Sequence, residues 1–310
     1  MAWGDKVDHI NEREYRDYVN RLNPANYRKI TQHKVVEKAM LSLLGFPTPR
    51  FLGYFHRLRG RTWLGRPLRT GDDLARLLND CAEPRVIFKL VEGWGGAGVR
   101  VIENVPEQDR VMARDLASGD LLTPELLAAQ LDSTDGYIVE AYIEQHETLA
   151  ALNASSLNTV RIWFLRHGDA YRLAGAILRV GRQGALVDNI SAGGYYCPID
   201  LATGTLSAIH ESHATAEPCE AHPETEAMVA GVRLPFWREA NLLAMRALDA
   251  FPHMQFAGLD IAIAADGPRI IELNAMPDLL NGLDFDVSLR RYFDYRSGFL
   301  EYKPEPPLAK

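Results

Sequence analysis

Phe256-Ala-Gly-Leu-Asp260-Ile-Ala-Ile-Ala-Ala-Asp-Gly-Pro268-Arg-Ile-Ile-Glu272-Leu-Asn274 is two apolar runs around Asp266-Gly267-Pro268, the pattern of a β-hairpin. With those three residues as the loop, Asp260 stands opposite Asn274 and Ala262 opposite Glu272, all four on one face. The other face then carries Leu259, Ile261, Ile263, Ile271 and Leu273, an apolar set suited to a core. Two carboxylates and an amide oxygen converge beside a small alanine, an all-oxygen donor set that suits a hard cation such as Mg²⁺. Taken alone, the same pattern also describes a hairpin with an ordinary polar outer face.

Working outward, Pro84-Arg-Val-Ile-Phe-Lys89-Leu-Val-Glu-Gly93-Trp-Gly95-Gly96-Ala-Gly98-Val-Arg-Val-Ile102 reads as strand, glycine-rich loop, strand. Glycines permit positive φ and close backbone approach, so the loop amides can point at phosphate oxygens while Lys89 supplies a point charge. The loop departs from GxxxxGK[ST] and a strand follows it, which disfavours a P-loop NTPase. By itself it is equally a flexible turn. Trp94 either closes over a ligand or packs on the lobe below.

A third segment, Tyr137-Ile-Val-Glu140-Ala-Tyr142-Ile143-Glu-Gln-His146-Glu147, is an apolar strand ending in acids. Such an edge offers backbone groups to an adenine and a carboxylate to a ribose, although its composition is that of many strand ends.

These three segments, in this order and spacing, resemble the ATP-grasp superfamily over nearly the whole chain. The resemblance implies an α+β fold in which two α+β lobes hold ATP between them, behind a helical N-terminal segment. It divides the chain into 1–82 (helical segment and small α/β region), 83–145 (small lobe), 146–300 (large lobe with the Mg²⁺ and substrate sites) and a 301–310 tail. It makes Lys34 and Lys89 the two phosphate-binding lysines, with the amides of Gly95, Gly96 and Gly98. Glu140, Tyr142, Ile143 and Glu147 fall on the adenine and ribose side. Asp260, Glu272 and Asn274 resemble the Mg²⁺ ligands, with Mn²⁺ a possible substitute.

Two subgroups come closest. Asn158-Thr-Val-Arg161-Ile and Leu178-Arg179, followed by Val187-Asp-Asn189-Ile-Ser-Ala-Gly193-Gly194, look like the ribosomal-protein glutamate ligases, where arginines and an asparagine face acylphosphate and substrate. The same stretch with Ala221-His222-Pro223-Glu-Thr225 and Leu234-Pro235-Phe-Trp237 is more similar to the sugar-transfer-associated ATP-grasp family. The resemblance implies Arg161, Arg179 and Asn274 as catalytic, and His146, Asn189, Gly193, Gly194 and Asp278 as substrate-binding. Many peptide-forming relatives carry an arginine two residues before the first Mg²⁺ ligand. Here that position is Gly258, which leaves oxyanion stabilisation to Arg161 or Arg179.

The implied activity is an ATP- and Mg²⁺-dependent carboxylate–amine ligase working through an acylphosphate on a small molecule or peptide. A kinase that phosphorylates a hydroxyl, for example of a sugar, stays open, and so does a nucleotide-binding regulatory protein. The retained Asp/Glu/Asn set argues against the last. His210, Glu211, His213, Cys219 and His222 could be taken for a zinc site, but their spacing fits no zinc arrangement, and a surface loop near the substrate entrance is the expectation.

Globally, 310 residues at 47% hydrophobic can bury a substantial core in two compact lobes. No run is long enough to span a bilayer and the start lacks a signal peptide's apolar core, so a cytoplasmic location and no membrane partner are expected. Three scattered cysteines read as reduced thiols. A net charge of −7 gives no support for nucleic-acid binding. The expected oligomeric state is monomer or homodimer. Local patterns predict helix over 5–45 with a break at Asn23-Pro24-Ala-Asn26, a helix capped by Thr70, and helices over 109–131 and 235–251. Strands are predicted at 50–56, 86–91, 99–103, 137–143, Thr159–Arg166 and Tyr171–Val180, and the tail from Lys303 is expected to fray.

Overall fold

The hairpin forms, in a different register from the one its sequence predicts. In the computed structural model, which describes residues 10–93, 95–107, 111–211, 217–279, 285, 287–296 and 298–302, Ala264 pairs with Gly267, leaving Ala265-Asp266 as a two-residue loop. The register then shifts at Ile271, so that Asp260 faces Glu272 and Gly258 faces Asn274. The extra residue of this β-bulge turns Ile270, not Ile271, into the core, and Ala262 faces Arg269 instead of Glu272. The three oxygen-bearing side chains remain together at one end of the ribbon.

The chain forms two antiparallel sheets. In chain order the strands of the first are β1 (Phe51–Phe55), β2 (Arg61–Thr62), β3 (Arg85–Leu90), β4 (Arg100–Pro106), β5 (Val111–Asp115), β6 (Leu121–Leu122) and β7 (Tyr137–Ala141), arranged β2-β1-β7-β3-β4-β5-β6. Those of the second are β8 (Thr159–His167), β9 (Ala170–Val180), β10 (Tyr195–Pro198), β11 (His210–Glu211), β12 (Phe256–Ala264), β13 (Gly267–Asn274) and β14 (Leu300–Tyr302). The path is β11-β10-β9-β8-β12-β13, with β14 beside β9. The result is an α+β mixture. The boundary expected at residue 82 falls between β2 and β3, inside one sheet, and that at 145 falls in the link between the sheets.

Alternation along the large sheet decides where its cores sit. Ala257, Leu259, Ile261 and Ile263 of β12 join a core with Val160, Ile162 and Phe164 of β8 and the helix Trp237–Ala247. On the opposite face, Trp163, Leu165, Ala174 and Phe256 pack with Tyr15 and Val19 of the helix Glu12–Leu22 and with Tyr292 and Phe293 of the helix Leu289–Phe293. The first helix therefore lies on the large sheet, although the sequence groups it with residues 46–82. The small sheet has its own core of Leu52, Phe55, Leu74, Phe88, Ile102 and Val139.

Several local predictions hold for physical reasons. The helices Glu12–Leu22, Ala25–Gln32 and Lys34–Leu43 are separated at Asn23-Pro24 and His33, and Asn11 and Thr70 each close a reciprocal capping box with the acid three residues on. Residues 109–131 are not one helix. Val111–Asp115 pairs with β4, Gly119 turns the chain at φ 79°, and among the described residues of this stretch only Pro124–Gln130 is helical. An apolar run beside a sheet edge took the ladder in place of its local helical spacing. Trp94, His213 and the tail expected to fray lie outside the described residues. Among the described residues no helix is long and apolar enough to cross a membrane.

Candidate functional site

The site lies on the face of the large sheet shared by Arg161, Arg179, Asp260, Glu272 and Asn274, where it meets the glycine-rich loop. The link is Lys34, first residue of its helix. Its Nζ donates to the Gly93 carbonyl at 3.0 Å and lies 3.4 Å from Glu272 Oε1, and its backbone N–H donates to Val91 O at 3.1 Å. One ammonium thus joins the base of the loop to Glu272 of the hairpin.

A helix that places Lys34 here places the residues three and four positions on along the same side. Glu37 is buried and accepts the Leu273 N–H at 2.5 Å. Burial pushes its carboxyl well above the ordinary range, and the neighbouring Glu272 pushes it further. Lys38 lies 2.7 Å from Glu140 Oε1, and Lys89 donates to Glu140 Oε2 at 2.9 Å. Glu140 is 1% exposed, and despite burial the two ammonium groups hold its carboxyl down to about 2. Burial lowers Lys38 in turn, with Glu140 opposing that. Two cations act on Glu140, and Glu140 and Glu37 both act on Lys38 against the effect of burial.

On the sheet, Asp260 is clasped by two arginines. Arg161 donates from Nε to Oδ1 at 2.6 Å and from Nη2 to Oδ2 at 2.7 Å, and Arg179 Nη2 donates to Oδ2 at 2.9 Å. Burial alone would raise this carboxyl; the arginines outweigh it and lower it. Arg179 also donates to Thr159 Oγ1 at 2.6 Å, and Asp188 accepts the N–H and hydroxyl of Thr159. Asp188 is buried, and burial raises its carboxyl.

The loop glycines are required by their surroundings. Gly95, Gly96 and Gly98 sit at φ 59°, 77° and 68°. A Cβ on Gly96 would fall 2.6 Å from Asn189 Oδ1, and one on Gly95 would fall 3.3 Å from Ser191 Oγ. The loop is therefore laid against the 189–191 turn of the large lobe.

The sequence profile of the sugar-transfer-associated ATP-grasp family matches residues 13–291. The chain belongs to this family. Its ATP-grasp fold is α+β, with the N-terminal helices already described. No curated protein matches the chain. Among solved structures, the ATP-grasp ligase PsnB complexed with minimal precursor, Mg and ADP is 15% identical, at a TM-score of 0.46 over 88% of this chain and 61% of that one. N5-carboxyaminoimidazole synthase from Aspergillus clavatus, in complex with ADP and 5-aminoimidazole ribonucleotide, is 12% identical, at 0.47 over 86% and 51%. A putative ATP-grasp superfamily protein from Archaeoglobus fulgidus is 13% identical, at 0.43 over 89% and 56%. The chain spans about three fifths of the length of the PsnB structure.

Within this ATP-grasp fold the structure brings Lys34, Lys89, the loop glycines, Asn189, Arg161, Arg179, Asp260 and Glu272 into one connected region. It also shows how four of the expected residues are held. Glu140 is buried with both oxygens on lysines, Oε1 toward Lys38 and Oε2 toward Lys89. Arg161 and Arg179 are neighbours as expected, yet both turn onto Asp260. His146 is set by structural duties: its N–H donates to Ile263 O at 2.7 Å, its ring caps the helix Glu147–Ala150 and it meets Phe236 edge-on. That places it three residues along β12 from Asp260, toward the hairpin loop.

Glu147 is exposed at the start of its helix, and Tyr142 and Ile143 lie in the link between the sheets. Tyr142 donates its N–H to Arg85 O at 3.2 Å. Gly193 takes the left-handed conformation at φ 87°, and a Cβ on Gly194 would meet the Asp188 carbonyl at 2.8 Å. Asp278 is exposed, next to Pro277, whose carbonyl accepts the Tyr15 hydroxyl at 2.5 Å. His222 is satisfied structurally: its Nε2 lies 3.0 Å from the Gly181 carbonyl and its Nδ1 accepts two backbone N–H groups. Among the described residues no three His, Cys, Asp or Glu side chains cluster to hold a metal.

Gly258 is explained by packing. A Cβ there would lie 2.9 Å from Trp163 Nε1 and 2.9 Å from Pro277 Cβ, both in the wall beside the site. Gly258→Ala is expected to destabilise the protein by about 1–3 kcal/mol, the usual cost of overpacking. Urea unfolding checks this, and an unchanged midpoint would contradict the packing.

Proposed function

We propose that the chain is an ATP- and Mg²⁺-dependent ligase that joins a carboxylate to an amine, in a small molecule or peptide, through an acylphosphate. The observation that carries the reading is the Lys34 bridge from the Gly93 carbonyl to Glu272. One side chain thereby spans from the base of the glycine-rich loop to Glu272 of the hairpin. Lys34, Lys38, Lys89, Arg161 and Arg179 are the cations there, interleaved with Glu140, Asp260 and Glu272, and burial raises the carboxyls of Glu37 and Asp188. Five cations gathered in one region suit a triphosphate.

The donors fit a hard cation in part. Glu272 has its side chain 28% exposed, and among the described residues the buried Asn274 Nδ2 has no hydrogen-bond partner. Asp260, by contrast, is committed to arginine. Glu272 and Asn274 would hold Mg²⁺, with Asp260 behind them, and the ion would neutralise charge between the β- and γ-phosphates. Lys34 and Lys89 take phosphate oxygens, and the amides of Gly95 to Gly98 close over them. Arg161, its guanidinium held by two hydrogen bonds to Asp260, would stabilise the charge that develops on the transferred group. No side-chain nucleophile is required.

Lys89→Ala is expected to weaken ATP binding about ten- to a hundredfold, the loss of a charge-assisted phosphate contact. Calorimetric titration checks this, and an unchanged Kd would remove Lys89 from the site. The commitment of both arginines to Asp260 favours a second reading, a kinase that transfers the γ-phosphoryl to a hydroxyl and needs no acylphosphate grip. ADP release measured over carboxylates and amines, each alone and both together, separates the two. Strict dependence on both supports the ligase, and release with a hydroxyl compound alone supports the kinase.

A further inference from the structure

The outer edge of the small sheet carries a hairpin whose base joins the core through Leu68 and whose tip does not. After β1 the chain reads Arg57-Leu58-Arg59-Gly60-Arg61-Thr62-Trp63-Leu64-Gly65-Arg66-Pro67-Leu68-Arg69, five arginines with no acid between Phe51 and Gly71, in a protein of net charge −7. The base is fixed. Leu52 and Leu68 are buried, Leu68 N–H donates to Gly60 O at 3.1 Å, and Arg61 bridges Pro67. Thr62 N–H donates to Arg66 O at 2.8 Å, so Trp63, Leu64 and Gly65 form the tip of a ribbon on the outermost strand of the sheet.

At that tip Trp63 is 58% exposed and Leu64 55%, and Leu58 in the preceding turn is 76% exposed. An indole and two leucines left in water at a rigid edge mark a contact surface. The arginines around them are poorly neutralised. Among the described residues ion pairs reach only Arg66, at 3.2 Å from Asp80, and Arg57, at 3.8 Å from Asp132, with all four side chains exposed. Arg61 and Arg69 turn to the carbonyls of Gly65 and Gly60, which leaves their charge in place.

We propose that this hairpin docks the protein on an anionic lipid surface, Trp63 and Leu64 entering the headgroup boundary and the flanking arginines meeting lipid phosphates. An exposed tip with an indole, a leucine and cations on both sides suits an interface that is apolar within and anionic at its rim. The contact is peripheral and needs no spanning helix. The global charge conceals it, because the acids that set the balance lie elsewhere in the chain.

The test is co-sedimentation of the full chain with phosphatidylglycerol–phosphatidylcholine vesicles and with phosphatidylcholine vesicles. Binding is expected to the anionic vesicles only and to weaken with salt. The double variant Arg61→Glu/Arg66→Glu should lose about tenfold or more in vesicle affinity. Trp63→Ala with Leu64→Ser should do the same, while thermal midpoints show both variants folded. Brominated acyl chains should quench emission from the wild type, and Trp63→Phe should abolish that quenching while keeping most of the binding. Failure of the wild type to bind anionic vesicles, binding that both double variants preserve, or binding without quenching would each overturn the proposal. Retention on dextran sulfate without vesicle binding would assign the patch to a soluble polyanion and overturn it too.

Discussion

Glu140→Ala is expected to cost about 3–5 kcal/mol of stability, the range for removing one partner from a buried ion cluster. The carboxylate is 1% exposed and lies between Lys38 at 2.7 Å and Lys89 at 2.9 Å, so its removal leaves two ammonium groups facing each other out of water. The sign with pH follows from its lowered value. An unfolded glutamate titrates near about 4.3, and the folded group is held down to about 2. Its contribution is therefore present above about 4.3 and is lost as pH falls from there toward 2. Urea unfolding of wild type and variant across that range checks both points. A loss under about 1 kcal/mol, the size of a surface pair, would contradict the cluster.

Glu272→Ala is expected to abolish turnover, by about a hundred- to a thousandfold or more, while ATP remains detectably bound. Glu272 sits on β13 and the residues proposed for the adenine, Tyr142 and Ile143, on the link between the sheets, so loss of the proposed metal ligand should leave the proposed adenine contacts in place. The change also removes the partner that Lys34 meets at 3.4 Å. ADP release and calorimetry on the same preparation separate the two effects. Turnover at the wild-type rate would remove the hairpin from the mechanism.

The hairpin was legible because alternation at Leu259, Ile261 and Ile263 fixes one face of β12. The bulge was not, since Ile270 and Ile271 are the same residue and either satisfies a core position. Lys34 and Lys89 could be picked out beside glycine and strand patterns. Glu37 and Lys38 were missed, although their spacing from Lys34 along a helix was the signal that places all three on one side. The strand Val111–Asp115 was hidden because its ladder partner lies in β4, beyond any local window. The turning of Arg161 and Arg179 onto Asp260 comes from adjacency across three strands, which spacing along one chain does not encode. The arginine-rich hairpin was masked by the acidic total.

Hydroxylamine added to the protein with Mg²⁺, ATP and a carboxylate that supports ADP release tests the ligase reading most directly. A hydroxamate is expected, formed at a rate that Arg161→Ala lowers more than it weakens ATP binding. A stable phosphate monoester formed without any amine, and no hydroxamate, would contradict it.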